Sequence, residues 1–228
     1  MEKDQTVDAA ICAFSEKQHD LGIFMNGVSQ WFATHPVLRR SGDSPIHSVK
    51  VRLKNVDHLK EKIYRKWGEI QIGPENIFSE ITDLAGVRIL HLYQEQFREI
   101  HREILAKVDS LKDWHLDEPP KAYTWDPESK KYFEDIGICV QIKESFYTSV
   151  HYVIRPRADS PLCCEIQVRT LFEEIWGEVD HALNYPNSTT NISCREQLRV
   201  LAKLVGAGSR LVDSIYRSAI ADKGDGIP

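Results

Sequence analysis

Four short segments of this chain carry side chains whose types and spacing could do chemistry. In Glu165-Ile-Gln-Val-Arg169 polar and apolar residues alternate. A strand sends successive side chains to opposite faces, so Glu165, Gln167 and Arg169 project together while Ile166 and Val168 face a core. A carboxylate, an amide and a guanidinium in one row can hold a metal or act as a base, meet a polar ligand edge and grip a phosphate. The same row also suits the solvated face of an edge strand. The run Arg52-Leu-Lys54-Asn-Val-Asp-His58-Leu-Lys-Glu-Lys62-Ile-Tyr-Arg65-Lys66 spaces His58, Lys62, Arg65 and Lys66 by three and four residues, which is one helix face. Like charges so placed repel unless an anion is near, and a polyphosphate would supply one. The alternative is an ordinary basic face with Asp57 and Glu61 as partners.

Asp83-Leu-Ala-Gly86-Val-Arg88 puts an acid at the mouth of a buried strand, five residues before an arginine. That suits a Mg²⁺ ligand beside a cation for phosphate or a base ring; it also suits a turn whose backbone Asp83 caps. Lys143-Glu-Ser-Phe-Tyr147-Thr-Ser149-Val-His151 combines a cation, two aromatics, hydroxyls and a histidine. It could stack a base and hold phosphate, or be a plain hairpin with tyrosine as surface filler.

The elements that must position these groups follow from periodicity. Val7, Ile11, Phe14, Leu21, Phe24, Met25, Val28 and Trp31 form a helical stripe over the first 35 residues. After a polar break at Arg40 to Pro45 come a strand near Ile46 to Leu53 and a helix capped by Asn55 or Asp57, running to Trp67 and ended by Gly68. A buried strand at Gly86 to Leu92 precedes a helix from Gln94 to Val108, and Pro119 to Ser129 reads as a loop. Strands are expected at Ile138 to Ile142, Ser149 to Arg155 and Cys163 to Val168. Helices return at Thr170 to Asn184, stopped by Pro186, and at Cys194 to Ile220, with Trp176 in the core. The sum is a single α/β (α+β) domain over 1–228, with a roughly five-stranded mixed sheet flanked by helices. It divides into an N-terminal helix (1–38), a core (45–185) and a C-terminal helical segment (194–220).

Composition narrows the function. With 29 Lys+Arg against 34 Asp+Glu the net charge is −5, which argues against wholesale nucleic-acid coating. No apolar run reaches the ~20 residues of a membrane span, and the start is no signal peptide. Five cysteines, an odd number without a CxxC pair, point to the reducing cytoplasm, so Asn187 and Asn191 are chance glycosylation matches.

Singly these segments say little, but their order and spacing resemble the alarmone synthetase domain of the RelA/SpoT family, the (p)ppGpp synthetases. The matching elements are the RxK…K run Arg52 to Lys66, DLAGVR at Asp83 to Arg88, the KxxxYxSxH turn Lys143 to His151, and ExQxRTxxxxxW…H from Glu165 to His181. The resemblance covers roughly residues 45 to 185 and implies the nucleotidyltransferase-like RelA/SpoT synthetase fold. It implies transfer of the β,γ-diphosphate of ATP to the 3′-hydroxyl of GDP or GTP, releasing AMP. On that likeness Asp83 and Glu165 hold Mg²⁺, Glu165 also orients or deprotonates the hydroxyl, and Arg52 and Arg88 sandwich adenine. Lys54, Lys62 and Arg65 neutralise the triphosphate, Tyr147 stacks guanine, and Lys143, His151, Gln167 and Arg169 serve the acceptor.

The chain departs from the pattern at three places. Ser145 and Phe146 replace an asparagine and glycine, His58 stands where serine is usual, and Glu174 falls where some relatives use asparagine to read the guanine edge. Phe146 removes backbone freedom where a turn might need positive φ. These changes admit a second acceptor class, adenosine nucleotides or the tRNA 3′ end, and a third reading as an inactive nucleotide sensor. The apolar C-terminal segment is expected to be either a homo-oligomer surface or core.

Overall fold

Apolar residues at Val7, Ala10, Phe14, Leu21, Met25, Val28 and Phe32 recur at helical spacing and form the buried side of α1 (Glu2–Thr34). A computed structural model describes residues 2–185 and 188–224 of the chain. Along it follow β1 (Ser48–Leu53), α2 (Val56–Lys66), the single turn α3 (Ile77–Glu80), β2 (Ala85–His91) and α4 (Gln96–Leu105), which passes into a π-helical turn at Ala106–Ser110. Then come β3 (His115–Leu116), β4 (Lys121–Thr124), α5 (Pro127–Asp135), β5 (Cys139–Ile142), β6 (Ser149–Arg155), β7 (Cys164–Thr170), α6 (Leu171–Asn184) and α7 (Ile192–Gly224).

The strands form one mixed sheet in the order β1-β2-β7-β6-β4-β5, with β3 pairing to β6. β2 and β7 run parallel at its middle, while β1 on β2, β6 on β7 and β4 on β6 are antiparallel. Alternation gives the sheet one apolar face, carrying Val87, Ile89, Ile166, Val168, Val150 and Tyr152, all buried in the main core with the α1 stripe. The opposite face is polar and carries the chemistry. α2 delivers Lys62 to Asp83 at one end of that face. Asn55 caps this helix by accepting from the Asp57 and His58 amides, at 2.7 and 3.4 Å. α6 covers the other end, starting directly from β7 through a capping box between Thr170 and Glu173.

The sheet has seven strands among the described residues, where roughly five are expected. The two extra strands lie in and just before Pro119 to Ser129, read as a loop. β3 and β4 are two and four residues long, too short for alternation to register, and pairing with β6 and β5 makes them strands. The same stretch hides the start of α5, although Asp126 at the cap and Pro127 in the first turn are a helix-start signal. The helix read as 94 to 108 is α-helical only over Gln96–Leu105. α6 ends at Asn184 as expected, while Pro186 and Asn187 lie outside the described residues. Trp176 is core: it packs with Ala202 and Val205 of α7 and donates Nε1–H to the Leu198 carbonyl at 3.1 Å. The expected N-terminal stripe is shifted slightly, with Phe32 rather than Trp31 fully buried.

Phe14 ties α1 to the core with no solvent exposure. Phe14→Ala should therefore cost about 3–5 kcal/mol, seen in urea unfolding as a lower midpoint at unchanged slope.

Candidate functional site

Cross-strand register builds the site in two rows on the polar face. Arg52, Gly86 and Glu165 lie side by side across β1, β2 and β7; Lys50, Arg88, Gln167 and His151 form the next row, reaching β6. Gly86 contributes no side chain between Arg52 and Glu165. A Cβ there would meet only ordinary contacts, at 3.7 and 3.8 Å from their carbonyl oxygens, so the glycine preserves volume rather than backbone freedom. The result is a cleft of about 320 Å³ bordered by Lys50, Arg52, Asp83, Gly86, Arg88, Glu165 and Gln167. A second cleft of about 430 Å³ shares Arg52, Arg88 and Gln167 with it and adds Tyr147, Arg169, Gly177, His181 and Tyr185. Two adjoining clefts with a common cationic wall can hold two phosphorylated ligands end to end.

Each acid in these clefts is held by named partners. Asp83, in the turn before β2, accepts from Lys54 Nζ at 2.5 Å and from Lys62 Nζ at 2.7 Å, one lysine on each oxygen. Burial works to raise its pKa, but the two ammonium groups outweigh it and hold the carboxyl below its usual range. Lys54 is itself buried, which lowers its pKa against the pull of Asp83. Glu165 is bracketed differently: His151 Nδ1 lies 2.9 Å from one oxygen and Gln167 Nε2 donates to the other at 2.7 Å. Burial opposes ionisation of Glu165, yet the His151 hydrogen bond and charge bring its pKa below normal. A carboxylate only accepts, so His151 Nδ1 donates to Glu165, and its Nε2 is hydrogen-bonded to the Tyr147 hydroxyl, 2.9 Å away. Tyr147, His151 and Glu165 form one hydrogen-bonded chain that joins the two clefts.

Glu174 is the hub of the cationic wall. Its Oε1 accepts from Lys50 at 2.7 Å and Arg88 at 3.0 Å; its Oε2 accepts from Arg169 Nε at 2.7 Å and Arg88 at 3.2 Å. Burial alone would raise the carboxyl pKa, but Lys50, Arg169 and Arg88 together hold it at about 2. Arg88 also reaches Glu178 at 3.1 Å and Gln167 at 3.4 Å.

The Lys143 to His151 turn adopts the positive φ that its glycine-free sequence puts at risk. Phe146 sits at φ 61°, a conformation that costs an L-residue about 1–2 kcal/mol. Its ring is anchored edge-to-face on Trp125, 5.0 Å between centroids, in the small cluster under α7. Burial of that ring offsets the strain, and Tyr147 is delivered beside Arg169.

Most of the expected set converges. Asp83, Arg52, Arg88, Glu165 and Gln167 border the first cleft, Tyr147 and Arg169 the second. Lys54, Lys62 and His151 reach the site through the carboxylates or the tyrosine they bond, and Glu174 through Lys50, Arg88 and Arg169. Arg65 is exposed on α2 and Lys143 is exposed with its Nζ 4.6 Å over the Tyr123 ring; both stand outside the two cleft linings. His58 points its Nδ1 inward without a partner, its ring edge-on to Tyr185 at 5.0 Å. Three further contributors lie outside the four short segments. Lys50 was findable, because it lies two residues before Arg52 on the same strand face. Glu178 lies one helical turn beyond Glu174. Tyr123, edge-on to His151 at 4.8 Å, lies in the unrecognised strand β4 and had no signal.

Among the described residues no three His, Cys, Asp or Glu side chains converge as a metal cage. Asp83 and Glu165 nevertheless border one cleft, and two hard oxygen donors fit Mg²⁺, which takes its remaining ligands from water and substrate phosphates.

Comparison with known proteins decides the family. Residues 51–190 match the region found in RelA / SpoT proteins, more than half of the chain. The chain belongs to the RelA/SpoT family. It is 28% identical to GTP pyrophosphokinase YjbM of Bacillus subtilis over 173 residues, covering 74% of this chain and 69% of that protein. GTP pyrophosphokinase YwaC of the same organism is 24% identical over 144 residues, covering 63% and 60%. The fold is that of small alarmone synthetase 1 from B. subtilis, solved with its product pppGpp: TM-score 0.62 at 21% identity, covering 90% of this chain and 93% of that one. A GTP pyrophosphokinase family protein from Streptococcus pneumoniae aligns with the same TM-score and identity, covering 100% and 99%.

The Glu174 hub has a pH signature. Its pKa is about 2 in the fold against 4.5 when unperturbed, so its stabilisation is complete above the unfolded value and is lost as pH falls from about 5 to 2. The full loss is on the order of 3 kcal/mol. Urea unfolding across that window should decline more steeply for the wild type than for Glu174→Gln.

Proposed function

We propose that this RelA/SpoT protein is an ATP-dependent (p)ppGpp synthetase, transferring diphosphate from ATP to the 3′-hydroxyl of GDP or GTP and releasing AMP. The observation that carries the reading is the pair of adjoining clefts sharing Arg52, Arg88 and Gln167, with Asp83 and Glu165 in one and Tyr147 in the other. The relatives named GTP pyrophosphokinase and the pppGpp-bound synthetase support the same reaction.

ATP belongs in the first cleft, its adenine between Arg52 and Arg88, where guanidinium planes can stack on a base. Lys54 and Lys62 turn from Asp83 to the triphosphate, and Arg65 closes on it from the exposed side of α2. These cations meet the main demand of phosphoryl transfer, neutralising charge on the moving group. Asp83 and Glu165 would hold Mg²⁺, which would supply Lewis-acid polarisation of the phosphates. The acceptor lies in the second cleft with its base on Tyr147 and its phosphates toward Lys143. Glu165, kept ionised by His151 and Gln167, receives the proton of the 3′-hydroxyl.

The same reading gives the outward apolar residues of α6 (Ile175, Val179) and α7 (Val200, Leu204, Leu211, Ile215) to a second copy of the chain. Leu204→Glu with Leu211→Glu should lower the mass seen by light scattering to that of one chain; an unchanged mass sinks the interface. No helix among the described residues is long and apolar enough to cross a membrane, and all five cysteines are free, which fits a reducing cytoplasm.

Incubation with labelled ATP and GDP or GTP should yield AMP and a 3′-diphosphorylated guanosine nucleotide. Glu165→Gln should lower kcat by roughly 10²–10⁴-fold, and Asp83→Ala should abolish turnover. Preferential labelling of adenosine nucleotides or tRNA, or full activity in either variant, would reject the assignment.

A further inference from the structure

We infer that Glu174, Arg169 and Gly177 form a positioning unit that sets the ring of Tyr147, so that acceptor affinity depends on three residues acting through that ring. This rests on the reading of Tyr147 as the platform for the acceptor's base.

Arg169 leaves the C-terminal end of β7 with only 4% of its surface exposed. Its Nε donates to Glu174 Oε2 at 2.7 Å, its Nη2 pairs with the same oxygen, and its Cζ stands 5.7 Å from the centroid of the Tyr147 ring. A guanidinium so placed is drawn to the ring face by the π quadrupole, and desolvation strengthens that attraction. The Tyr147 hydroxyl is separately tied to His151. Ring face and hydroxyl are thus fixed by different partners, which leaves the ring little freedom to tilt.

Glu174 cannot read a guanine edge in this arrangement. A carboxylate offers about four lone-pair sites, and Lys50, Arg88 and Arg169 already supply donors to both oxygens. Its effect on the acceptor passes through Arg169 instead. Gly177 completes the unit. It lies three residues after Glu174, on the same side of α6. A Cβ at this position would stand 2.8 Å from Arg169 Nη1 and 3.3 Å from Cζ. The guanidinium is buried and bonded, so it could yield only by moving away from Glu174 or from the tyrosine ring. Helix propensity gives no reason for glycine inside α6, where alanine is the better helix former. The space taken by Arg169 does.

Gly177→Ala tests this cleanly, because propensity alone predicts an unchanged or higher Tm. The expected result is a roughly 5- to 50-fold rise in KM for GDP or GTP, of the size that a small misplacement of a positioning group produces, with KM for ATP nearly unchanged. An unchanged acceptor KM overturns the proposal. Glu174→Gln should raise KM for guanosine and inosine acceptors alike; if it instead abolishes a preference for guanosine over inosine, Glu174 reads the base edge and the proposal falls. Tyr147→Ala separates the two levels of inference. A large rise in its acceptor KM upholds the platform, whereas no rise removes the platform reading and this proposal with it.

Discussion

Charge balance on one sheet face is the constraint on which the rest of this structure depends. Lys50, Arg88 and Arg169 converge within hydrogen-bond distance of a single carboxylate, and Lys54 and Lys62 converge on another. Two like charges 4 Å apart repel by about 4 kcal/mol at an effective dielectric near 20, so neither group could assemble without its anion. Glu174 and Asp83 supply those anions in different settings. Glu174 is buried and saturated, which makes it a permanent part of the wall. Asp83 is half-buried, borders the open cleft and holds Lys54 and Lys62.

The geometry of that face is inherited from β7. Glu165 and Arg169 leave the strand on the same side, one toward His151 and the first cleft, the other toward α6 and the second. Thr170 ends the strand and caps the helix, and Glu173 reaches back to the Thr170 amide at 2.7 Å. A turn closed from both sides has little freedom, and Glu174 follows immediately after it. The precision with which Glu174 meets three cations from three strands comes from this short, doubly bonded turn.

The acceptor side is assembled less locally. Phe146 holds a backbone conformation that costs energy, stabilised by packing on Trp125 and the underside of α7. α7 is itself pinned at a distance: Asp213 accepts from the Glu95 amide at 3.0 Å, and Arg210 pairs with Asp126 at 2.7 Å. The C-terminal helix therefore supports the loop that carries Tyr147, and its inward side is core even while Leu204, 63% exposed, and its neighbours face outward. The sequence alone left a self-association surface and core as alternatives for this segment, and its inward side is core.

What the sequence by itself determined is whatever a local period can encode. Alternation in Glu165 to Arg169 and helical spacing in Arg52 to Lys66 defined which side chains share a face, and the four motifs in order defined the family. The strands β2, β6 and β7 were legible for the same reason: they are long, apolar on one side and bounded by turns. Tertiary structure alone decided the partners. β3 and β4 are too short to show a period and exist because β6 offers them an edge. Glu174 carried the expectation of an acceptor contact and became the counter-ion of Lys50, Arg88 and Arg169. Gly177 carried no signal, since the side chain it makes room for arrives from another element. Periodicity is a property of neighbours along the chain, whereas charge neutralisation and steric room depend on residues that only folding brings together.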